Sequence, residues 1–390
     1  MRMPRRVAIV GVGQTTHDEA QGLVYHELDY QAAKRALASV GADNGNIDTV
    51  ITSGWDVVDG RTISDMHTCM AAGGYLKECS HVGEDGIMAL VYAYLRLVSG
   101  LFDTAIITGH GHLESDFEAV SQVVYDPLIH RPVGASYTVS MGMQANAYMH
   151  KHGVTEEQAA EVVAKNRTNG ANNPMAHLRA GVTVGDVLTG DMVCYPLRAL
   201  DLPPRSVGGV ALVLATEEAV RRLTDKPVWI RGLGWAIEGY ELGDKDLARI
   251  SSLDAAAKMA YRAAGIGEPS KELDVAEIHE ATSFHELMAY EALGFCAEGE
   301  GAKLLAQGVT APGGTLPVNA SGGALSTNPY GATGLLRVAE AVLQLRGEAQ
   351  GHQVDGAKLA LAHGLSAPGG AAAPTNAVAI LERSRGGGAL

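Results

Sequence analysis

The chain has 390 residues, of which 46% are hydrophobic, 19% are charged and 5% are aromatic. This composition is typical of a globular protein with a well-filled core, and it excludes the disordered, collagen-like and coiled-coil classes. Lys and Arg number 30 against 44 Asp and Glu, which gives a net charge of −14. Because such a surface repels phosphate backbones and anionic lipid, we expect neither nucleic acid nor a membrane as a partner.

The four cysteines, at positions 69, 79, 194 and 296, form no CxxC pair. Their spacing fits neither a zinc site nor a disulfide framework, and the 14 histidines show no paired ligand spacing, so we expect no metal. The apolar run at residues 7–12 is too short for a signal peptide, and no segment reaches the ~20 apolar residues that span a bilayer. The sequence therefore predicts a cytoplasmic protein.

One succession of elements occurs twice along the chain: strand, glycine-terminated helix, strand, helix, strand. The paired segments are residues 6–13 and 227–234, 28–41 and 253–265, 48–52 and 275–279, 87–99 and 334–345, and 103–109 and 357–364. This self-similarity predicts two copies of one α/β unit.

Two such units imply a layered architecture, in which each sheet is covered by helices. The apolar segment 86–99 has few polar positions, so we expect a helix buried between two sheets. The predicted N-terminal half is residues 1–225, with a polar covering insertion at about 114–191. The predicted C-terminal half is residues 226–390.

Several short motifs follow one another over nearly the whole chain. They are VAIVGVGQT at 7–15, KNR at 165–167 with NNP at 172–174, YPLR at 195–198, HEATSF at 279–284, YEALGFC at 290–296, and SGG at 321–323 with GATG at 331–334. Together they resemble the thiolase superfamily, particularly its sterol-carrier-protein-x and archaeal branch. The resemblance implies a five-layer α-β-α-β-α sandwich of two repeated halves, a homodimer, and acyl-CoA substrates. Coenzyme A then enters as part of the substrate, and no cofactor is expected in this chain.

The chain departs from the family at its catalytic positions. The resemblance places the nucleophilic cysteine, at the start of the buried helix, on Gly83. The family's Gly-His-Pro histidine falls on Asn328, and its second catalytic cysteine falls on Ala362. His279 matches the residue that polarises the thioester oxygen as half of an oxyanion hole. Cys79, four residues before the nucleophile position, fits a buried core thiol.

A chain with an oxyanion donor but no nucleophile can still stabilise a thioester enolate. Retro-aldol cleavage of a β-hydroxyacyl-CoA needs only this donor and a general base, without a covalent step. In this respect the chain resembles the steroid side-chain aldolases, which work with a small partner carrying an OB fold and a zinc ribbon. Where those aldolases are expected to have catalytic tyrosines, this chain has His279 and Asn328, with Tyr330 two residues on.

The resemblance implies roles for further residues. We expect Asn328 to donate its amide to the thioester oxygen or to its water, and Tyr330, His363 or Asp85 to move the proton. In the structural interpretation, Asn328 shapes a turn, Tyr330 and His363 are satisfied core residues, and Asp85 caps a helix. The residues expected to contact the substrate are Gly83, His285, Gly322, Gly323 and Gly370.

Two alternatives accompany this hypothesis. A divergent thiolase or acyltransferase could use Cys79 or a cysteine of a partner, and acyl-CoA would then label a cysteine. A catalytically silent acyl-CoA or lipid carrier would bind without turnover.

Overall fold

The protein is described here from a computed structural model that covers residues 5–18, 22–112 and 116–383. The strands are β1 (Val7–Gln14), β2 (Thr49–Ser53), β3 (Glu78–Val82), β4 (Thr104–Gly111), β5 (Met192–Cys194), β6 (Leu197–Arg198), β7 (Gly208–Thr216), β8 (Val228–Ile237), β9 (Val275–Glu277), β10 (Leu359–Ser366) and β11 (Thr375–Arg383). The helices are α1 (Tyr25–Ala38), α2 (Asp65–Ala71), α3 (Gly86–Ser99), α4 (Phe117–Ser121), α5 (Tyr137–His152), α6 (Glu156–Ala171), α7 (Val184–Leu188), α8 (Glu217–Leu223), α9 (Ser251–Ala264), α10 (Pro269–Glu272), α11 (Ser283–Ala292), α12 (Gly301–Ala306), α13 (Gly323–Ser326) and α14 (Thr333–Arg346).

Nine strands form one mixed sheet in the order β3-β2-β4-β7-β1-β8-β11-β10-β9, while β5 pairs with β6 alone. Strands β3, β2 and β4 are parallel to one another, as are β9 and β10, and the remaining pairs are antiparallel. Within the sheet, as far as the described residues show it, the two halves are joined where Ala8 and Ile9 of β1 pair with Trp229 and Val228 of β8. The sheet is therefore an N-terminal half of five strands joined to a C-terminal half of four.

Helices cover the two half-sheets in layers. Helix α1 packs on β1, β4 and β7, and α9 packs on β8 and β11. Helices α3 and α14 contact strands of both halves, and their apolar side chains form one core cluster with both half-sheets. This α-β-α-β-α order confirms the predicted fold class. The buried helix predicted at 86–99 has the same bounds in the structure, because Asp85 caps its start and Gly100, with φ +86°, ends it.

The chain between β4 and β7 contains α4 to α7, in the region predicted as an insertion at about 114–191, and then the β5–β6 hairpin, just beyond that region. Its helices α5 and α6 contact α11 on the C-terminal half. The predicted limits at residues 1, 114 and 390 lie outside the described residues, and the domain boundaries stay a prediction. In the described ranges, no helix is long and apolar enough to cross a membrane, and no group of three acidic, His or Cys residues could hold a metal.

Candidate active site

Three consecutive residues at the end of β10 connect candidate residues from three separate elements. The backbone N–H of Leu365 donates to the Nδ1 atom of His279 at 3.2 Å. The hydroxyl of Ser366 accepts the backbone N–H of Asp85 at 3.1 Å. The carbonyl of Ala367 accepts the hydroxyl of Tyr330 at 3.0 Å. The structure therefore brings together the turn after β9, the start of α3 and the loop before α14.

His279 is held as a neutral hydrogen-bond donor. Because its Nδ1 atom accepts the N–H of Leu365, the ring proton must lie on Nε2. Burial, and then the neighbouring His363 and His285, lower the pKa of His279 well below its usual value. A neutral imidazole with an Nε2–H group is suited to donate to a thioester oxygen on which negative charge develops.

The other two histidines of this cluster differ in their hydrogen bonding. His363 accepts the backbone N–H of His279 on Nδ1 at 3.4 Å, and its Nε2 atom lies 2.8 Å from the Oδ1 atom of Asn376. Both ring nitrogens are thus used inside the protein, and burial lowers its pKa to about 4. The Nδ1 atom of His285 is buried and has no hydrogen-bond partner among the described residues, and burial lowers the pKa of this ring to about 3.

Asn328 lies in a tightly held loop. Its side-chain oxygen accepts the hydroxyl of Thr333 at 2.6 Å, and its backbone N–H donates to the hydroxyl of Ser206 at 2.9 Å. The Nδ2 group is therefore the part of the side chain left as a donor. Asn328 and Tyr330 also line one cavity of about 110 Å³. The remaining wall residues of this cavity are Phe117, Glu118, Tyr137, Thr138, Leu202, Pro203 and Arg205.

Tyr330 is a buried phenol packed among aromatic rings. Its ring centroid lies 4.2 Å from that of Phe117 and 4.6 Å from that of Trp55. Burial raises its pKa well above the usual value, so the hydroxyl stays protonated and donates to the carbonyl of Ala367. The hydroxyl oxygen keeps lone pairs that can accept a hydrogen bond from a ligand.

The turn that precedes α3 carries two carboxyl groups and an open position. The side chain of Asp85 is fully buried and accepts the backbone N–H groups of Ile87 and Gly334 at 3.0 and 3.1 Å. Burial raises its pKa to about 7, although these hydrogen bonds oppose the shift. Burial also raises the pKa of Glu84, and a Cβ atom at Gly83 would have no neighbouring heavy atom within 4 Å.

None of the four cysteines, which all lie in the described ranges, has the properties of an activated nucleophile. Cys79 on β3 packs in the core beneath α1, and its thiol donates to the carbonyl of Gly74 at 3.4 Å. Burial raises the pKa of Cys79 and Cys194, and raises that of Cys69 and Cys296 to about 12. A reactive thiol has a lowered pKa instead.

Three glycines expected to contact substrate are packed against other parts of the protein. A Cβ atom at Gly322 would lie 2.6 Å from the Cα atom of Gly170, and one at Gly323 would lie 2.2 Å from a Glu280 oxygen. A Cβ atom at Gly370 would lie 2.3 Å from the hydroxyl of Ser140. In the structure these glycines permit close packing, and all three have positive φ angles.

A buried carboxylate pair that the sequence did not reveal joins the turn after β9, which carries Glu280, to the first turn of α11, which carries Glu286. Glu280 and Glu286 share hydrogen bonds from the side-chain amides of Asn166 and Asn319, at 2.6 to 2.9 Å. Lys165 lies 2.7 Å from Glu286, and burial raises the pKa of Glu280. This network fixes the turn that carries the neutral histidine. The available signal was Glu280 in HEATSF together with Glu286 two residues after that motif, both close to apolar segments.

Comparison with known proteins places these features in context. Residues 236–383 match the family described as thiolase C-terminal domain-like. The acetyl-CoA acetyltransferase of Methanothermobacter thermautotrophicus is 30% identical, over 95% of this chain and 98% of its own length. Sterol carrier protein 2 of Homo sapiens is 30% identical over 94% of this chain and 70% of its length. The structure of the Ltp2-ChsH2(DUF35) aldolase matches with a TM-score of 0.82 and 25% identity, over 99% of this chain and 100% of that chain.

Proposed function

Because this chain belongs to the thiolase superfamily, we propose that it is an enzyme that cleaves or forms a carbon–carbon bond in an acyl-CoA by aldol chemistry, without a cysteine nucleophile. The proposal is carried by one observation, the combination of a missing nucleophile with a retained hydrogen-bond donor. Glycine occupies the position of the nucleophile, while His279 remains a neutral Nε2–H donor.

The proposed reaction is retro-aldol cleavage of a β-hydroxyacyl-CoA. A base removes the proton of the β-hydroxyl, the bond between the α and β carbons breaks, and its electron pair enters the thioester as an enolate. The Nε2–H of His279 and the Nδ2–H of Asn328 hold the enolate oxygen. Protonation of the α carbon releases a shortened acyl-CoA and an aldehyde or ketone. The reverse sequence forms the bond.

Proton transfer is assigned to the loop before α14 and the turn before α3. Tyr330 shares the cavity with Asn328, and its oxygen can accept a hydrogen bond from the β-hydroxyl while its own O–H group donates to the carbonyl of Ala367. Asp85 is the proposed base, since a pKa of about 7 suits proton transfer at neutral pH. His363 is proposed to position His279 rather than to contact substrate, and His285 to contact substrate through its buried Nδ1 atom.

The proposal includes two kinds of protein partner. The similar aldolase is the Ltp2-ChsH2(DUF35) aldolase. We propose that this chain also works with a small partner protein of the zinc-ribbon and OB-fold type. Strand β3 ends the sheet, and exposed apolar side chains lie near it on and after α2: Met66, Met70, Tyr75 and Leu76. An open strand edge beside apolar surface suits a homodimer interface.

The test is incubation of the purified protein, with and without the candidate partner, with β-hydroxyacyl-CoA and β-ketoacyl-CoA thioesters. Products are identified by mass spectrometry. We expect an aldehyde or ketone plus a shortened acyl-CoA, with no requirement for free CoA. The control is the variant Cys79→Ser, which should retain this turnover.

Cleavage of β-ketoacyl-CoA alone, with dependence on free CoA and an acyl group on a cysteine, would instead establish a thiolase. The similarity to acetyl-CoA acetyltransferase makes this the second candidate function. Binding of acyl-CoA without turnover of any thioester, with or without the partner, would indicate a carrier.

A further inference from the structure

A charged triad lies outside the site, at the end of β4. The ring of His110 lies between two carboxylates: Nδ1 is 3.0 Å from the Oδ2 atom of Asp29, and Nε2 is 3.1 Å from the Oδ1 atom of Asp59. All three residues are at most 3% exposed. Because an ionised carboxylate only accepts hydrogen bonds, both ring nitrogens must donate. His110 is therefore an imidazolium, and the triad has a net charge of −1.

The triad joins three elements at the point where they support the loop at residues 328–331. Asp29 comes from α1, His110 from β4, and Asp59 from the segment between β2 and α2. The backbone after His110 touches the loop so closely that a Cβ atom at Gly111 would lie 2.3 Å from the Cα atom of Pro329.

The loop has a second contact with the end of β4 and one contact with the start of α3. A Cβ atom at Gly331 would lie 3.1 Å from the carbonyl oxygen of His110, so the loop lies directly on the end of β4. The carbonyl of Gly331 also accepts the backbone N–H of Gly86 at 2.9 Å, at the start of α3. A shift of His110 would therefore be passed to the loop that carries Asn328 and Tyr330.

Stability alone does not account for such a triad. Replacing buried ion clusters with apolar residues is often neutral or stabilising, so such a cluster fits a role in fixing geometry better than a role in stability. Here Asp29 Oδ1 and Asp59 Oδ2 are buried without a hydrogen-bond partner in the described part of the chain, which adds a desolvation cost. We propose that His110, Asp29 and Asp59 are positioning residues that hold the loop at residues 328–331 in register with the active site.

The test combines kinetics with hydrogen exchange on the full chain, using Asp29→Asn/Asp59→Asn. These amides keep the side-chain shapes but remove both charges that hold the imidazolium. We expect kcat to fall by about 10- to 100-fold with KM changed less than about threefold, because small displacements of positioned groups cost rate. We also expect faster hydrogen exchange in the peptide spanning residues 327–334.

The matched control is His352→Gln, which breaks another buried histidine–carboxylate pair, with Glu340 at 2.9 Å. It should leave both kcat and exchange at 327–334 unchanged. The kinetic measurement rests on the proposed function, but the hydrogen-exchange measurement does not. Hydrogen exchange therefore still tests the role of the triad if the protein turns over none of the thioesters. The proposal would be overturned if the double variant exchanged hydrogen at residues 327–334 as slowly as the wild type does. It would also be overturned if the exchange rate rose evenly over the whole chain. If the double variant does not fold, Asp59→Asn alone is measured by the same criteria.

Discussion

In the N-terminal half of the sheet, His110 at the end of β4 lies between Asp29 and Asp59, whereas in the C-terminal half His279 after β9 lies beside other histidines. Both rings are fully buried, and burial by itself lowers the pKa of each. The two carboxylates more than reverse this for His110 and raise its pKa to about 10, while His363 lowers the pKa of His279 further.

The difference teaches that neighbours, not depth, decide what a buried histidine can do. An imidazolium fixed by two carboxylates has no donor left for a ligand and acts as an anchor. A neutral imidazole whose Nδ1 accepts a backbone N–H keeps its Nε2–H for an oxygen that gains negative charge. His110 in the N-terminal half thus acts as an anchor, and His279 in the C-terminal half supplies the proposed donor to the enolate oxygen.

The carboxyl groups extend this comparison, and they give the largest expected effect. Asp29 has the imidazolium of His110 as a partner, whereas the described partners of Asp85 are backbone N–H groups. The pKa of Asp85, about 7, exceeds its usual value of 3.8. In Asp85→Asn we expect turnover to fall by about 10²- to 10⁴-fold, because the proposed base is lost. The amide oxygen can still accept the N–H of Ile87 and cap α3, although the hydrogen bond from the N–H of Gly334 is lost.

Stability distinguishes this result from simple damage. A carboxyl whose pKa is raised on folding loses stability as pH rises from about 4 to about 7. Because Asn does not ionise, we expect the wild type to lose up to about 4 kcal/mol of stability between pH 4 and pH 8 that Asp85→Asn does not lose. Urea unfolding at both pH values measures this, and an equal change of stability with pH in the two proteins would contradict the assignment.

The next effect concerns the neutral donor itself. His279→Ala removes the Nε2–H group, and we expect kcat to fall by about 10²- to 10³-fold with a small change in KM. His279→Asn should recover part of the rate, since an amide can donate. Steady-state kinetics on the thioester that the wild type cleaves is the measurement, with exposed His150→Ala as the control. Equal rates for His279→Ala and the control would remove His279 from the mechanism.

Much of the fold could be predicted because local sequence patterns determine many of its elements. The helix at 86–99 is mostly apolar and is followed by a glycine, and α9 ends before Gly265 as its sequence indicates. Strands β7 and β11 were not predicted, because their buried apolar runs show no alternation.

The site could be predicted less completely. Motif positions identified His279, Tyr330 and Asp85, which the structure connects through the end of β10, and Asn328, which shares a cavity with Tyr330. The direction of each hydrogen bond depends on packing, so the sequence offered a hydrogen-bonded core role for Tyr330 as the structural interpretation but did not identify its partner. The triad was missed for the same reason, since its members come from three elements separated along the chain.

The smallest expected effect contrasts His285 with the charged His110. Burial lowers the pKa of His285 to about 3, so the unfolded chain takes up a proton below pH 6.5 that the folded chain does not. This ring therefore costs about 2 kcal/mol of stability between pH 7.5 and pH 5, whereas His110 stays charged in both conditions. In His285→Gln we expect the loss of stability on acidification to shrink by about that amount, measured by urea unfolding at the two pH values. His150→Gln, at an exposed position, should lose as much as the wild type. An equal loss of stability on acidification in both variants would mean that His285 takes up its proton in the folded protein. The assignment of His285 as a neutral imidazole would then be wrong.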